Sequence, residues 1–86
     1  MRMTIVPEDK LVNIDGLVFS ELDLSFIPTN VHAIQWYGEE GTVEIKDERN
    51  RIIETQDFTD LTPYQPALDA WQVAKNVADQ QEPTNV

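Results

Sequence analysis

The sequence predicts an α+β fold: a small, mainly antiparallel β-meander with one C-terminal α-helix packed on a face of it. Three observations lead there. Short β-branched or alternating apolar runs fill most of residues 4–55, the spacing expected of strands joined by turns. Asp15-Gly16 and Gly38-Glu39-Glu40-Gly41 interrupt those runs with residues that accept the positive φ a tight turn demands. Beyond residue 61 the period changes. Ala67, Trp71, Ala74 and Ala78 recur at helical spacing, with Tyr64 and Leu68 beside them.

Thr4-Ile5-Val6 reads as the first strand and Pro7-Glu8-Asp9-Lys10 as a turn. Leu11 to Ile14 and Leu17 to Phe19 flank Asp15-Gly16 and read as a hairpin. In Ser20 to Pro28, the alternation of Leu22, Leu24 and Phe26 with polar residues suggests an extended segment with one buried face. It reads as an edge strand or as a loop pinned by those side chains.

Val31 to Tyr37 reads as the central strand. One of its faces carries His32, Ile34 and Trp36, and the other Val31, Ala33, Gln35 and Tyr37, so both faces are expected to be at least partly covered. Thr42 to Lys46 alternates with Val43 and Ile45 inward, Asp47 to Asn50 turns, and Arg51 to Thr55 forms a further strand. Phe58 and Leu61 anchor the connection that follows. Thr62-Pro63-Tyr64-Gln65 has the composition of a capping box, but Pro66 biases Gln65 away from helical angles. The regular helix is therefore expected from Pro66 to about Asp79. The polar, proline-containing segment 80–86 is expected to be a flexible tail, leaving 1–79 as one domain.

Eighty-six residues with no cysteine leave no disulfide or thiolate metal site to reinforce a small core. Sixteen acidic residues against six basic ones give a formal charge of −10. That balance disfavours nucleic acid and anionic membranes, whose phosphates require Lys or Arg. No apolar run approaches the ~20 residues that span a bilayer. The stretch Met1 to Val6 is cut off by Pro7-Glu8-Asp9-Lys10 before it reaches the length of a secretory signal. A protein that is not exported by a cleaved leader is expected.

The residues needed for chemistry are sparse. A hydrolytic triad requires a nucleophile, a base and an orienting carboxylate, and the one histidine, His32, lies mid-strand with no cysteine in the chain. A histidine there is expected to pack or hydrogen-bond. Glu21-x-Asp23, Glu39-Glu40 and Asp47-Glu48 do not follow the spacing of a calcium loop, and the glutamates inside Gly38-x-x-Gly41 would repel a phosphate. No catalytic residue, cofactor or metal is therefore expected. Aromatic residues commonly anchor protein interfaces. The candidate interaction residues are accordingly Trp36, Tyr37, Glu39 and Glu40. Since Trp36 and Tyr37 point to opposite faces, one is expected in the core and the other in a partner surface. Trp71 is expected in the core.

Two blocks of residues resemble a known family. Ile27-Pro28-x-Asn30-Val31-His32-Ala33-Ile34-Gln35-Trp36-Tyr37-Gly38-x-x-Gly41-x-Val43-Glu44 and Leu61-Thr62-Pro63-Tyr64-Gln65-x-Ala67-Leu68-Asp69-Ala70-Trp71 are similar to the two motifs of small proteins encoded by tailed bacteriophages and prophages. The similarity runs from about Leu11 to Trp71. It implies a phage protein, often encoded near tail or tail-fibre genes, with no catalytic residues to carry over. The expected function is a non-enzymatic virion component or assembly factor of the tail, in the virion or in the host cytoplasm during assembly. Its partners would be other phage structural proteins, with further copies of itself as a possibility, and neither nucleic acid nor membrane. The alternative is an acidic host-directed inhibitor that mimics nucleic acid or counters a defence protein. The spread of carboxylates over most turns argues against that alternative, because a mimic needs them arrayed on one face.

Overall fold

The computed structural model describes residues 1–80. Six strands form one antiparallel sheet, followed by one helix. The strands are β1 (Met3–Val6), β2 (Leu11–Ile14), β3 (Leu17–Phe19), β4 (Val31–Trp36), β5 (Gly41–Lys46) and β6 (Ile52–Phe58), and the helix is α1 (Gln65–Gln80). The expected α+β class is present. The strand order is β3-β2-β1-β4-β5-β6, so the sheet is two three-stranded meanders placed side by side. The seam between them is the antiparallel pairing of β1 with β4, where Met3 lies opposite Trp36, Thr4 opposite Gln35 and Ile5 opposite Ile34.

The first meander follows from its turns. A 3₁₀ turn at Pro7–Asp9 begins on a proline, whose fixed φ suits that position, and Lys10 ends it in the left-handed region at φ 54°. Asp15 and Gly16 adopt φ 52° and 91°, the two consecutive positive values of a type I′ hairpin turn. The turn is tied down at both ends. Asn13 Oδ1 accepts from the Gly16 amide at 2.9 Å, and the Asp15 carboxylate accepts from the Arg2 amide at 2.8 Å.

β4 contains an irregularity that the alternation of its residues does not announce. Val31 pairs with Ile45 and Ala33 with Glu44, so the register shifts between Val31 and Ala33 and His32 is the extra residue. A bulge flips the parity of the strand beyond it. Val31 therefore joins Ile34 and Trp36 on the core face, instead of opposing them. The strand ends at Trp36, one residue earlier than expected.

Segment 20–30 is a loop and not an edge strand. Leu22 and Leu24 are buried as the alternation predicts, but Phe26 is exposed and Ile27 takes the buried place. The cause is a turn in which the Ile27 amide donates to the Leu24 carbonyl at 3.0 Å, which breaks the period of two. This loop carries the chain from the outer edge of the first meander to the centre of the sheet.

The core lies on one face. Met3, Ile5, Val12 and Ile34 are completely buried at its centre, with Ile14, Leu22, Leu24, Ile27, Val31, Trp36, Val43, Ala67 and Trp71 around them. Burying each large aliphatic side chain contributes about 1.5–3 kcal/mol. The opposite face is mostly polar and half-buried, with Ala33 buried on it, as where Thr4 donates to Gln35 Oε1 at 2.6 Å.

α1 starts one residue before Pro66 and ends at Gln80, one residue past the expected end. The rest of the expected tail lies outside the described residues. A capping box does not form. The chain enters through a 3₁₀ turn at Thr62–Tyr64, and Asp60 accepts from the Thr62 amide at 2.9 Å and from its hydroxyl at 2.6 Å. Those bonds hold the Asp60 carboxyl below the usual range, the hydroxyl bond contributing most. Ala67 and Trp71 face the core, and the Trp71 indole N–H donates to the Leu17 carbonyl at 2.9 Å and meets Phe19 edge-on at 5.9 Å. Ala78, expected on the packed face, is exposed. The helix packs chiefly on β2 and β3, and residues Asn76 to Gln80 at its end are exposed.

Two outcomes follow from these packing relations. Gly16→Val leaves the turn with a β-branched residue at positive φ. No heavy atom lies within 4 Å of the added Cβ position, so the destabilisation of about 1–3 kcal/mol is backbone strain alone. A thermal melt at unchanged midpoint would refute the turn. Trp71→Ala removes both the aromatic contact and the indole hydrogen bond, and a loss of about 3–5 kcal/mol is expected in urea unfolding. Trp71→Phe should fall between that variant and the parent.

Candidate interaction surface

The four candidate residues lie at the β4–β5 hairpin, but their environments differ. Trp36 is 6% exposed, stacked at a tilt on Phe58 with ring centres 5.4 Å apart. Phe58 in turn meets Tyr64 edge-on at 5.1 Å. This aromatic chain fastens the second meander to the segment that enters α1, and burial pushes the Tyr64 hydroxyl above its ordinary pKa. Trp36 is thus core. Tyr37, the next residue, is 53% exposed, with the Arg2 guanidinium 5.4 Å from its ring centre. Glu39 and Glu40 are exposed beside it. The hairpin closes where the Tyr37 amide donates to the Glu40 carbonyl at 2.8 Å, and Gly38 supplies a φ of 110°.

The backbone under this turn is crowded. A Cβ on Gly41 would overlap the Gln35 carbonyl oxygen and come within 2.8 Å of the Phe58 ring. Gly41 is therefore fixed by packing, not by its φ. Tyr37, Gly38, Glu39, Glu40 and Thr59 surround an open hollow of about 750 Å³. The hollow carries two carboxylates and one aromatic rim, which suits a basic or amphipathic protein surface better than an anion.

A second concavity lies under the 20–30 loop. It encloses about 650 Å³, with Leu22, Leu24, Ile27 and Val31 as an apolar wall and Lys10 and Lys46 at its margin. Lys46 bridges to Glu8 at 3.0 Å, so one of its two cations is already paired. Sequence reasoning did not single out this groove, because it depends on the Leu24–Ile27 turn.

A third surface is β6 itself. Residues Ile52 to Asp57 are all exposed, with Ile52 at 47% and Ile53 at 64%. Only its last residue, Phe58, is covered, by Trp36 and by Tyr64 of the 3₁₀ turn, while α1 packs chiefly on β2 and β3. Among the described residues, no three of His, Asp and Glu converge to hold a metal ion. No described helix is long and apolar enough to cross a membrane.

Comparison of the chain with protein-family models, with curated proteins and with solved structures finds no match in any of the three.

The β5–β6 turn has its own electrostatics. Asp47 accepts from the amides of Arg51 and Arg49 at 3.0 and 2.8 Å and from the Arg51 guanidinium at 3.0 Å. The Arg51 amide contributes most to holding its carboxyl below the usual range, against a smaller opposing desolvation. A carboxyl with a depressed folded pKa adds stability that is complete above the unfolded value of about 3.9 and is lost as pH falls through the folded value. The advantage of the parent over Asp47→Asn in thermal midpoint should therefore be full near neutrality and shrink below about pH 4. An advantage that grew on acidification would contradict the turn geometry.

Proposed function

We propose that the protein is a non-enzymatic component or assembly factor of a tailed-phage particle, acting at the tail and binding another phage protein through the Tyr37–Glu40 end of the sheet. The observation that carries the binding surface is the division of labour between neighbouring aromatics. Trp36 is locked in the core and so fixes the backbone, while Tyr37 projects half-exposed beside Glu39 and Glu40. A rigidly held tyrosine with a polar rim is the usual composition of an interface anchor. The assignment to phage rests on the resemblance of residues 27–44 and 61–71 to the phage motifs. The absence of a nucleophile, base and carboxylate set in the sequence supports a binding role over a catalytic one.

Carboxylates at Glu39 and Glu40 favour a partner patch that carries Lys or Arg around an apolar pocket for the tyrosine ring. Arg2, already over that ring, shows the geometry a partner cation could use. The test is co-expression with the phage's tail proteins and purification at high salt, where apolar anchoring persists and purely ionic contacts are screened. Stoichiometric capture is expected, and Tyr37→Ala should weaken it about tenfold or more, equivalent to at least ~1.4 kcal/mol, with an unchanged melting midpoint. No capture by any tail protein, together with tight salt-sensitive binding to a basic host enzyme, would overturn this reading in favour of the acidic inhibitor.

A further inference from the structure

The two edges of the sheet are unlike. β3 has three residues and lies against α1. β6 has seven residues, of which the first six, Ile52 to Asp57, are exposed. A long open edge presents a row of unpaired N–H and C=O groups, a template for another strand.

The direction of those groups follows from the hairpins. Tyr37 donates to Glu40, which makes that couple a hydrogen-bonded pair. Alternation along an antiparallel ladder makes Gln35 and Thr42 the next such pair, so Gly41, Val43 and Ile45 turn their polar groups towards β6. They meet Phe58, Gln56 and Glu54 there. Thr55 and Asp57 consequently direct their backbone N–H and C=O outward, away from the sheet.

We infer that this edge pairs with β6 of a second copy, antiparallel and centred on Thr55, to give a continuous sheet through a two-fold axis. The residues of β6 are self-complementary in that register. Thr55 faces Thr55 of the partner copy, with both sets of outward backbone groups directed at each other. Glu54 faces Gln56 and Gln56 faces Glu54, so no carboxylate lies opposite a carboxylate, and the regular ladder ends at Glu54 because the register of β6 shifts at Ile53. Within one strand the Gln56 amide already donates to Glu54 at 2.6 Å. An amide nitrogen has two N–H donors, and the second is free for Glu54 of the other copy. Residues directly opposite in a ladder have Cβ atoms about 4.5–5.5 Å apart, which suits that bond.

The chain's charge of −10 opposes any self-association, so screening by salt strengthens this dimer. That sign is opposite to the one expected for a basic partner held by ionic contacts. The pairing uses β6 and leaves Tyr37 and its turn untouched, so it stands or falls independently of the phage partner.

Sedimentation equilibrium of the full chain across a concentration series, in low and in about 0.5 M salt, tests the inference through the screening effect. A monomer–dimer equilibrium that shifts to dimer with salt is expected. Thr55→Pro removes an N–H that is unpaired in the protomer, which an edge strand tolerates. It should abolish the dimer and leave the protomer's circular dichroism intact. Thr55→Glu, which sets two carboxylates face to face on the axis, should do the same and guards against a proline-induced folding defect. A chain that stays monomeric at every concentration and salt would overturn the inference and leave the edge to a strand from another protein. Persistence of the dimer in both variants would overturn it as well.

Discussion

The seam between β1 and β4 is the contact on which the remaining structure depends. Each flanking meander is held by local turns, but neither could bury its apolar face alone. Pairing Ile5 with Ile34 and Met3 with Trp36 makes one sheet wide enough to exclude water from both, and three of these four side chains become completely buried. Everything else is arranged around that strip. The 20–30 loop must cross from β3 to the centre because β4 belongs beside β1. Leu22, Leu24 and Ile27 line the crossing. Trp71 then closes the first meander and the Trp36–Phe58–Tyr64 chain closes the second.

Much of this arrangement could be read from the residues. Asp15-Gly16 has few conformational alternatives, and the hairpin follows from it. The helical period after Leu61 identified Trp71 as the residue that packs the helix, and the clean alternation of Thr42 to Lys46 gave β5 its correct faces. Illegibility began where backbone hydrogen bonds, not side-chain polarity, decide the geometry. The bulge at His32 reverses the face of Val31 with no glycine to announce it. The turn that joins Ile27 to Leu24 exchanges Ile27 for Phe26. The order of strands was hidden for a related reason. β1 and β4 are both apolar enough to be central, and nothing local says that they are neighbours.

The candidate surface shows the same division. The sequence placed an aromatic on each side of the central strand, and only packing against Phe58 decides that Trp36 is inside and Tyr37 outside. The acidic turn was legible as a turn, while the crowding of Gly41 against the Phe58 ring was not. Asp60 holds Thr62 from two residues upstream, before the helix begins, and nothing in the Thr62-Pro63-Tyr64-Gln65 pattern marks it. The open edge of β6 was invisible for the opposite reason. Arg51 to Thr55 reads as an ordinary strand, and the exposure of Ile52 to Asp57 depends on how far the helix reaches.

That limited reach of α1 grades the sheet energetically from one side to the other. Amide protons at the β1–β4 seam can reach solvent only when the whole domain opens, because both strands are flanked by others and buried beneath. Those of β6 need only the last strand to detach, a local event that exposes little apolar surface beyond Phe58. Hydrogen exchange should therefore slow stepwise from β6 through β5 to the seam. The outermost strand is the part of the molecule whose order depends most on what lies next to it.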